Sequence, residues 1–171
     1  MKTLSMVTGE QLVNALHMLG VEFIMGGQFQ NESLHKQPAR LIAALTQSTE
    51  ARLRLSLIPL FLDHPEFASF VPSILAKLKP ADRLILKCYY TAAVWLQQQH
   101  RNQLITLIGN KASLPDYFSL EIGLEISDDP EDNLRSLAEC QRVLSGAQVN
   151  WLGTYHHAAQ VMLRGLELQK A

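Results

Sequence analysis

Charge is scarce in this chain: only 18% of its 171 residues are Asp, Glu, Lys or Arg, against roughly 25% in ordinary globular domains. With 47% apolar residues, such a chain can fill a core and still leave apolar side chains outside, so a surface shared with a partner is expected. Cysteine is equally sparse. Cys88 and Cys140 have no C-x-x-C spacing and fall within helical patterns, which argues against a secreted disulfide framework and leaves two reduced thiols. No window holds the roughly 18 consecutive uncharged apolar residues of a membrane span. Met1-Lys2-Thr3 is not followed by the apolar core and cleavage site of a signal peptide. These absences lead to the expectation of a cytoplasmic protein without a membrane partner.

Signatures of common chemistries are missing as well. The six histidines include no His-x-x-x-His pair, and His156 and His157 point about 100° apart on a helix, a poor arrangement for clasping one ion. Asp128, Asp129, Glu131 and Asp132 lack the alternation, central Gly and closing Glu of an EF-hand loop. They read instead as a helix start, with Pro130 at the first position and the acids at the positive end of the helix dipole. No metal and no cofactor is expected. A Gly-x-Ser-x-Gly elbow is absent, and Cys88, between Lys87 and Tyr89 in an apolar helix, reads as a structural thiol rather than a nucleophile.

What charge there is lies unevenly. Lys36 to Lys111 holds ten basic residues against four acids, about +6, whereas Asp116 to Glu139 holds eight acids and one Arg, about −7. Arg52, Arg54, Arg83 and Lys87 do not make the concentrated basic face of a nucleic-acid binder, so nucleic acid is not the expected partner.

Periodicity and punctuation predict helices almost throughout. Thr8 and Gln11 have capping-box spacing, and Leu12, Leu16 and Leu19 recur until Gly20 supplies a stop. Val21 to Met25, bounded by Gly20 and Gly26-Gly27, predicts a short strand, and Gln28 to Gln37 a loop. Pro38 opens a helix to about Gln47, and Thr49 can cap a second that carries Leu53, Leu57, Leu60 and Phe61 as far as His64-Pro65. A third, about Pro65 to Leu78, should kink or divide at Pro72. Pro80 starts a longer helix, which the polar run Gln97 to Gln103 forces out of the core or interrupts. Asn110 to Ser127 reads as an irregular connection, Asp129-Pro130 starts a helix ending near Gly146, and Asn150 can cap a last one to about Gln169. The expected fold is mainly α: an irregular multi-helix bundle with HEAT-like helical pairs over Ala51 to Leu78 and at most one short N-terminal strand. One helical domain over 1–171 is expected, with 1–37 as an N-terminal appendage bearing the strand and loop. Leu53, Leu57, Phe61, Leu84, Cys88, Leu137 and Leu163 are expected in one core.

Leu16 to Gly27 resembles the start of the minimal nucleotidyltransferases, in which a helix, a strand and a Gly-rich turn bring backbone N–H groups against nucleotide phosphates. The resemblance implies a phosphate-contacting turn at Gly26 and Gly27. It also implies an enzyme of that family as a partner, because the chain is similar in overall character to small bacterial helical proteins that accompany such enzymes. The family's Asp-x-Asp pair is absent: after Gly27 the nearest acids are Glu32, Glu50 and Asp63, which cannot hold two metal ions at a transferring phosphoryl group. The Arg and His spacing of the HEPN ribonucleases is absent too, so no catalysis is expected.

The last helical segment carries the most distinctive cluster. Trp151, Tyr155, Ala158 and Met162 share one stripe, bordered by His157, Gln160 and Arg164. Aromatic anchors with a polar rim predict an interface formed by Trp151, Tyr155, His157, Met162 and Arg164, with a protein partner or with a second copy in a homo-oligomer such as a dimer. The functional expectation is a non-catalytic helical interaction or accessory module, with a nucleotidyltransferase among its partners. The alternative is a nucleotide-binding or small-ligand-binding module, derived from a decayed transferase, with Gly26 and Gly27 at the phosphate.

Overall fold

The computed structural model describes residues 6–23 and 33–170, and among these residues it is helical and contains no strand. Helix α1 (Gly9–Met18) starts at the capping box: Thr8 Oγ1 accepts from the Gln11 backbone N–H at 3.2 Å, and Gln11 Oε1 accepts from the Thr8 N–H at 2.8 Å. It ends in a Schellman arrangement. Gly20 takes φ +80°, its N–H donates to His17 O at 3.0 Å, and the Val21 N–H donates to Leu16 O at 2.8 Å. This corrects the expected strand over its described part, Val21 to Phe23. Val21 is the apolar residue that completes the helix cap and buries its side chain, not the start of a ladder. The rest of that segment, Ile24 and Met25, lies outside the described residues.

A 3₁₀ turn at Leu34–Lys36 leads into α2 (Pro38–Gln47), which has Pro38 in its first turn and Leu41, Ile42 and Leu45 fully buried. The helix expected next is two pieces, α3 (Ala51–Leu55) and α4 (Leu57–Asp63). They meet at buried Ser56, whose hydroxyl donates to Leu53 O at 2.5 Å. A second 3₁₀ turn (Pro65–Phe70) and α5 (Val71–Leu75) follow, with Pro72 in the first turn of α5, where its missing N–H leaves no helical bond unmade. The chain then forms α6 (Pro80–Gln99), α7 (Arg101–Ile108), α8 (Ser119–Ile122), α9 (Pro130–Ser145) and α10 (Trp151–Lys170).

Helix α4 occupies the middle. Every side chain from Leu57 to Leu62 is buried, because α2, α6, α10 and the second 3₁₀ turn pack around it. The short segments between Ala51 and Leu78 pack on one another in succession, with α2 against α3, α4 and α5. Helix α9 runs antiparallel along α6: Gln99, at the end of α6, bonds to Glu131, at the start of α9, while Cys88 lies close to Cys140. Helix α10 crosses α4, α6, α7 and α9. Leu53, Leu57, Phe61, Cys88, Leu137 and Leu163 are buried in one core, and Leu84 packs half-buried against it.

Two glycines of α10 separate local space from local need. A Cβ on Gly165 would meet nothing within 4 Å, so Gly165→Ala is expected to raise stability by up to about 1 kcal/mol through helix propensity. A Cβ on Gly153 would lie 2.6 Å from Asn150 Nδ2. It would displace the side chain whose Oδ1 caps the helix by accepting from the Gly153 N–H at 3.0 Å. Gly153→Ala should therefore lose what Gly165→Ala gains, a contrast that paired thermal melts will read directly.

Candidate functional site

The structure divides the residues expected at an interface. Tyr155 is fully buried, and its hydroxyl donates to the side-chain oxygen of buried Gln141. Burial, with Cys88, Tyr89 and Cys140 nearby, pushes that hydroxyl well above the ordinary tyrosine pKa. Met162 is buried too. This corrects the assignment of Tyr155 and Met162 to an outer surface: α10 has neighbours on several sides, so its apolar stripe is core. Trp151 is half-buried, with its ring edge-on to Tyr89 at 6.5 Å and 64°, and its buried indole Nε1 has no hydrogen-bond partner. His157 and Arg164 are exposed on the outer side of the helix. Gly26 and Gly27, the expected phosphate contacts, lie outside the described residues.

A polar cluster absent from the sequence expectations forms where the α6–α7 junction, the start of α9 and the second turn of α10 meet. Glu131 accepts from Gln99 Nε2 at 2.8 Å, its two oxygens lie 3.0 and 3.1 Å from His156 Nε2, and Arg135 approaches within 3.7 Å. Partial burial works to raise the Glu131 carboxyl. The hydrogen bonds from Gln99 and His156, with the charges of His156 and Arg135, outweigh it and hold the group below its ordinary value. His100 sits at the junction, with Nε2 buried and without a partner. Its burial, then the neighbouring His156, lower its pKa against the pull of Glu131.

The cluster predicts an acid-sensitive fold. His100 titrates below the 6.5 of an unperturbed ring, so the stability its neutral form contributes is complete above pH 6.5 and is lost as pH falls through the depressed value. The depressed Glu131 carboxyl adds a second loss below its unperturbed value of 4.5. Urea midpoints should therefore fall between pH 7 and 5 and fall further below 4.5. His100→Gln is expected to flatten the first decline and keep the second. A wild-type midpoint that stays level from pH 7 to 5 would contradict this.

The corner between α9 and α10 is built differently. Asn150 caps α10 through its side chain, and the connection brings Val149 and Trp151 beside the last turns of α9. Val143, Leu144 and Val149 are 62%, 55% and 43% exposed. A cleft of about 200 Å3 at this corner is lined by Ala138, Val149, Trp151 and Leu152, together with Arg135 and the Glu139–Arg142 ion pair. The sequence reading singled out Trp151 but missed the exposed end of α9, although Val143 and Leu144 stand next to each other just before the Gly146 stop.

Among the described residues, no group of three or more His, Cys, Asp or Glu could hold a metal ion. Cys88 is buried, and burial, with Cys140 nearby, pushes its thiol up to about 12 despite the opposing charge of Lys87, which leaves almost no thiolate at neutral pH. No helix of the described residues is long and apolar enough to cross a membrane. No family model matches the chain, and no curated protein or solved structure is matched by it.

Proposed function

We propose that the chain is a non-catalytic helical module that binds a protein partner through the corner between α9 and α10. The observation that carries this reading is the Trp151 cleft with exposed Val149 in its lining, at the end of α9 where Val143 and Leu144 are exposed as well. Apolar side chains clustered at one place on a surface mark interaction sites more than scattered ones do. Three such side chains fall far short of the roughly 1,200 Å2 that a stable interface buries, so neither a second copy nor another protein is held by these side chains alone. A partner that also seats one apolar side chain in the cleft and covers its neighbours fits this corner.

The resemblance of residues 16–27 makes a minimal nucleotidyltransferase of the same host the first partner to try. Co-expression followed by native mass measurement is expected to give a mixed complex that Val143→Glu combined with Leu144→Glu abolishes. Both positions are exposed, so the fold should survive. A mixed complex that survives the double variant overturns the corner assignment. A mass that reports only copies of this chain, sensitive to the same variant, replaces the partner with a homo-oligomer. Incubation with labelled nucleoside triphosphates and magnesium should label no acceptor, and labelling that depends on magnesium would overturn the non-catalytic reading.

A further inference from the structure

A second cleft, remote from the α9–α10 corner, is held open by specific attachments. Helix α7 ends at Gly109, whose φ of +85° and ψ of 175° belong to a backbone region that glycine alone enters freely. The chain turns there and runs back past the end of α6, where a single side chain grips it at two points. Gln97 Nε2 donates to Ala112 O at 3.0 Å, and Gln97 Oε1 accepts from the Leu114 N–H at 2.7 Å. Lys111 ties the same stretch to the end of α4, its ammonium donating to the Asp63 carbonyl and, at 3.2 Å, to Asp63 Oδ1.

Between these attachments lies a cleft of about 40 Å3 with Leu62, Leu104, Ile105 and Ile108 as its apolar part. Its charged lining is Arg101 and Lys111, with no carboxylate, and the nearby Asp63 is already engaged by Lys111. The exposed Arg101 guanidinium has no hydrogen-bond or ion-pair partner among the described residues. An occupant must therefore join an apolar end to an anionic head. The space is well short of the roughly 150 Å3 that takes a benzene ring, so an aromatic base does not fit; a terminal methyl of an aliphatic chain enters it, and the rest of the chain lies along the open cleft.

We propose that this cleft binds a small aliphatic carboxylate, its branched tail against Leu104 and Ile108 and its carboxylate on the Arg101 guanidinium. A planar guanidinium can hold both carboxylate oxygens at once, which gives the head group geometric definition as well as charge. With one exposed ion pair and few buried methylenes, a Kd on the order of 1 mM is expected. The site is independent of the partner surface proposed above and stands or falls separately.

The test is a titration of the full chain with 4-methylpentanoate, followed by amide shifts in a ¹⁵N–¹H spectrum, with 4-methylpentanamide and inorganic phosphate titrated in parallel. Saturable shifts confined to residues 97–113 are expected with the carboxylate. Binding of the amide, which keeps the tail without the charge, should be at least tenfold weaker, and phosphate, which keeps charge without the tail, should give no saturable shift. Arg101→Gln should weaken the carboxylate at least threefold and leave the amide unchanged, and the exposure of Arg101 spares the fold. The proposal is overturned by the absence of saturation with the carboxylate, by equal binding of the amide or of phosphate, or by wild-type affinity in the Arg101 variant.

Discussion

Tyr155→Arg is expected to unfold the protein, not merely to weaken an interface. The tyrosine ring is fully enclosed and its hydroxyl holds Gln141, itself buried. A guanidinium in that space would meet Cys88, Tyr89 and Cys140, none of which is an anion at neutral pH. An ion buried without a counter-charge costs several kcal/mol, on top of the lost ring packing, and a domain has only about 5 to 15 kcal/mol to lose. Far-ultraviolet circular dichroism should show the loss of helix at room temperature or a melting midpoint far below that of the parent chain. Tyr155→Phe isolates the polar part, because it strands the buried Gln141 oxygen at about 1 to 3 kcal/mol. If the arginine variant melts with the parent, Tyr155 is not internal and its place in an interface returns.

Leu57→Ala should be the next most damaging change, at about 2 to 5 kcal/mol, which for a chain of this size corresponds to a fall of roughly 4 to 20 °C in melting temperature. Leu57 begins the fully buried run of α4. With α6 and α10 packed on the same helix, little can collapse into the space left behind. An unchanged urea midpoint would mean that this helix faces solvent.

Local chemistry wrote much of the fold into the sequence. The Thr8–Gln11 box, Pro38, Pro80 and Pro130 in first turns, and the side-chain cap of Asn150 are all where the spacing put them. Each depends only on residues a few positions apart. The errors arose where the same local pattern has two tertiary outcomes. Val21 is apolar and β-branched in a strand or at a Schellman cap, and only the bond to Leu16 O decides. The Trp151, Tyr155 and Met162 stripe must bury itself, but periodicity does not tell whether the covering surface belongs to the same chain; here most of it does. Only Arg135, four positions on, was a local signature of the Glu131 cluster, since its other partners His156 and Gln99 lie 25 and 32 positions away.

The connection from α7 to α9 is largely irregular, yet its attachments from Ala112 to Glu121 all lead to one helix, α6. Gln97 holds Ala112 and Leu114, Tyr90 donates to Pro115 O at 2.6 Å, Trp95 Nε1 donates to Ser119 Oγ at 3.3 Å, and Lys87 pairs with Glu121. Stretches without regular structure are ordinarily the first that a protease cuts, because they open by themselves at little cost. This one cannot leave its seat without giving up side-chain bonds to the longest-buried stretch of α6. Cleavage within residues 110–118 should therefore track the opening of that helix, and its dependence on urea should approach that of global unfolding instead of the shallow slope of a fraying loop.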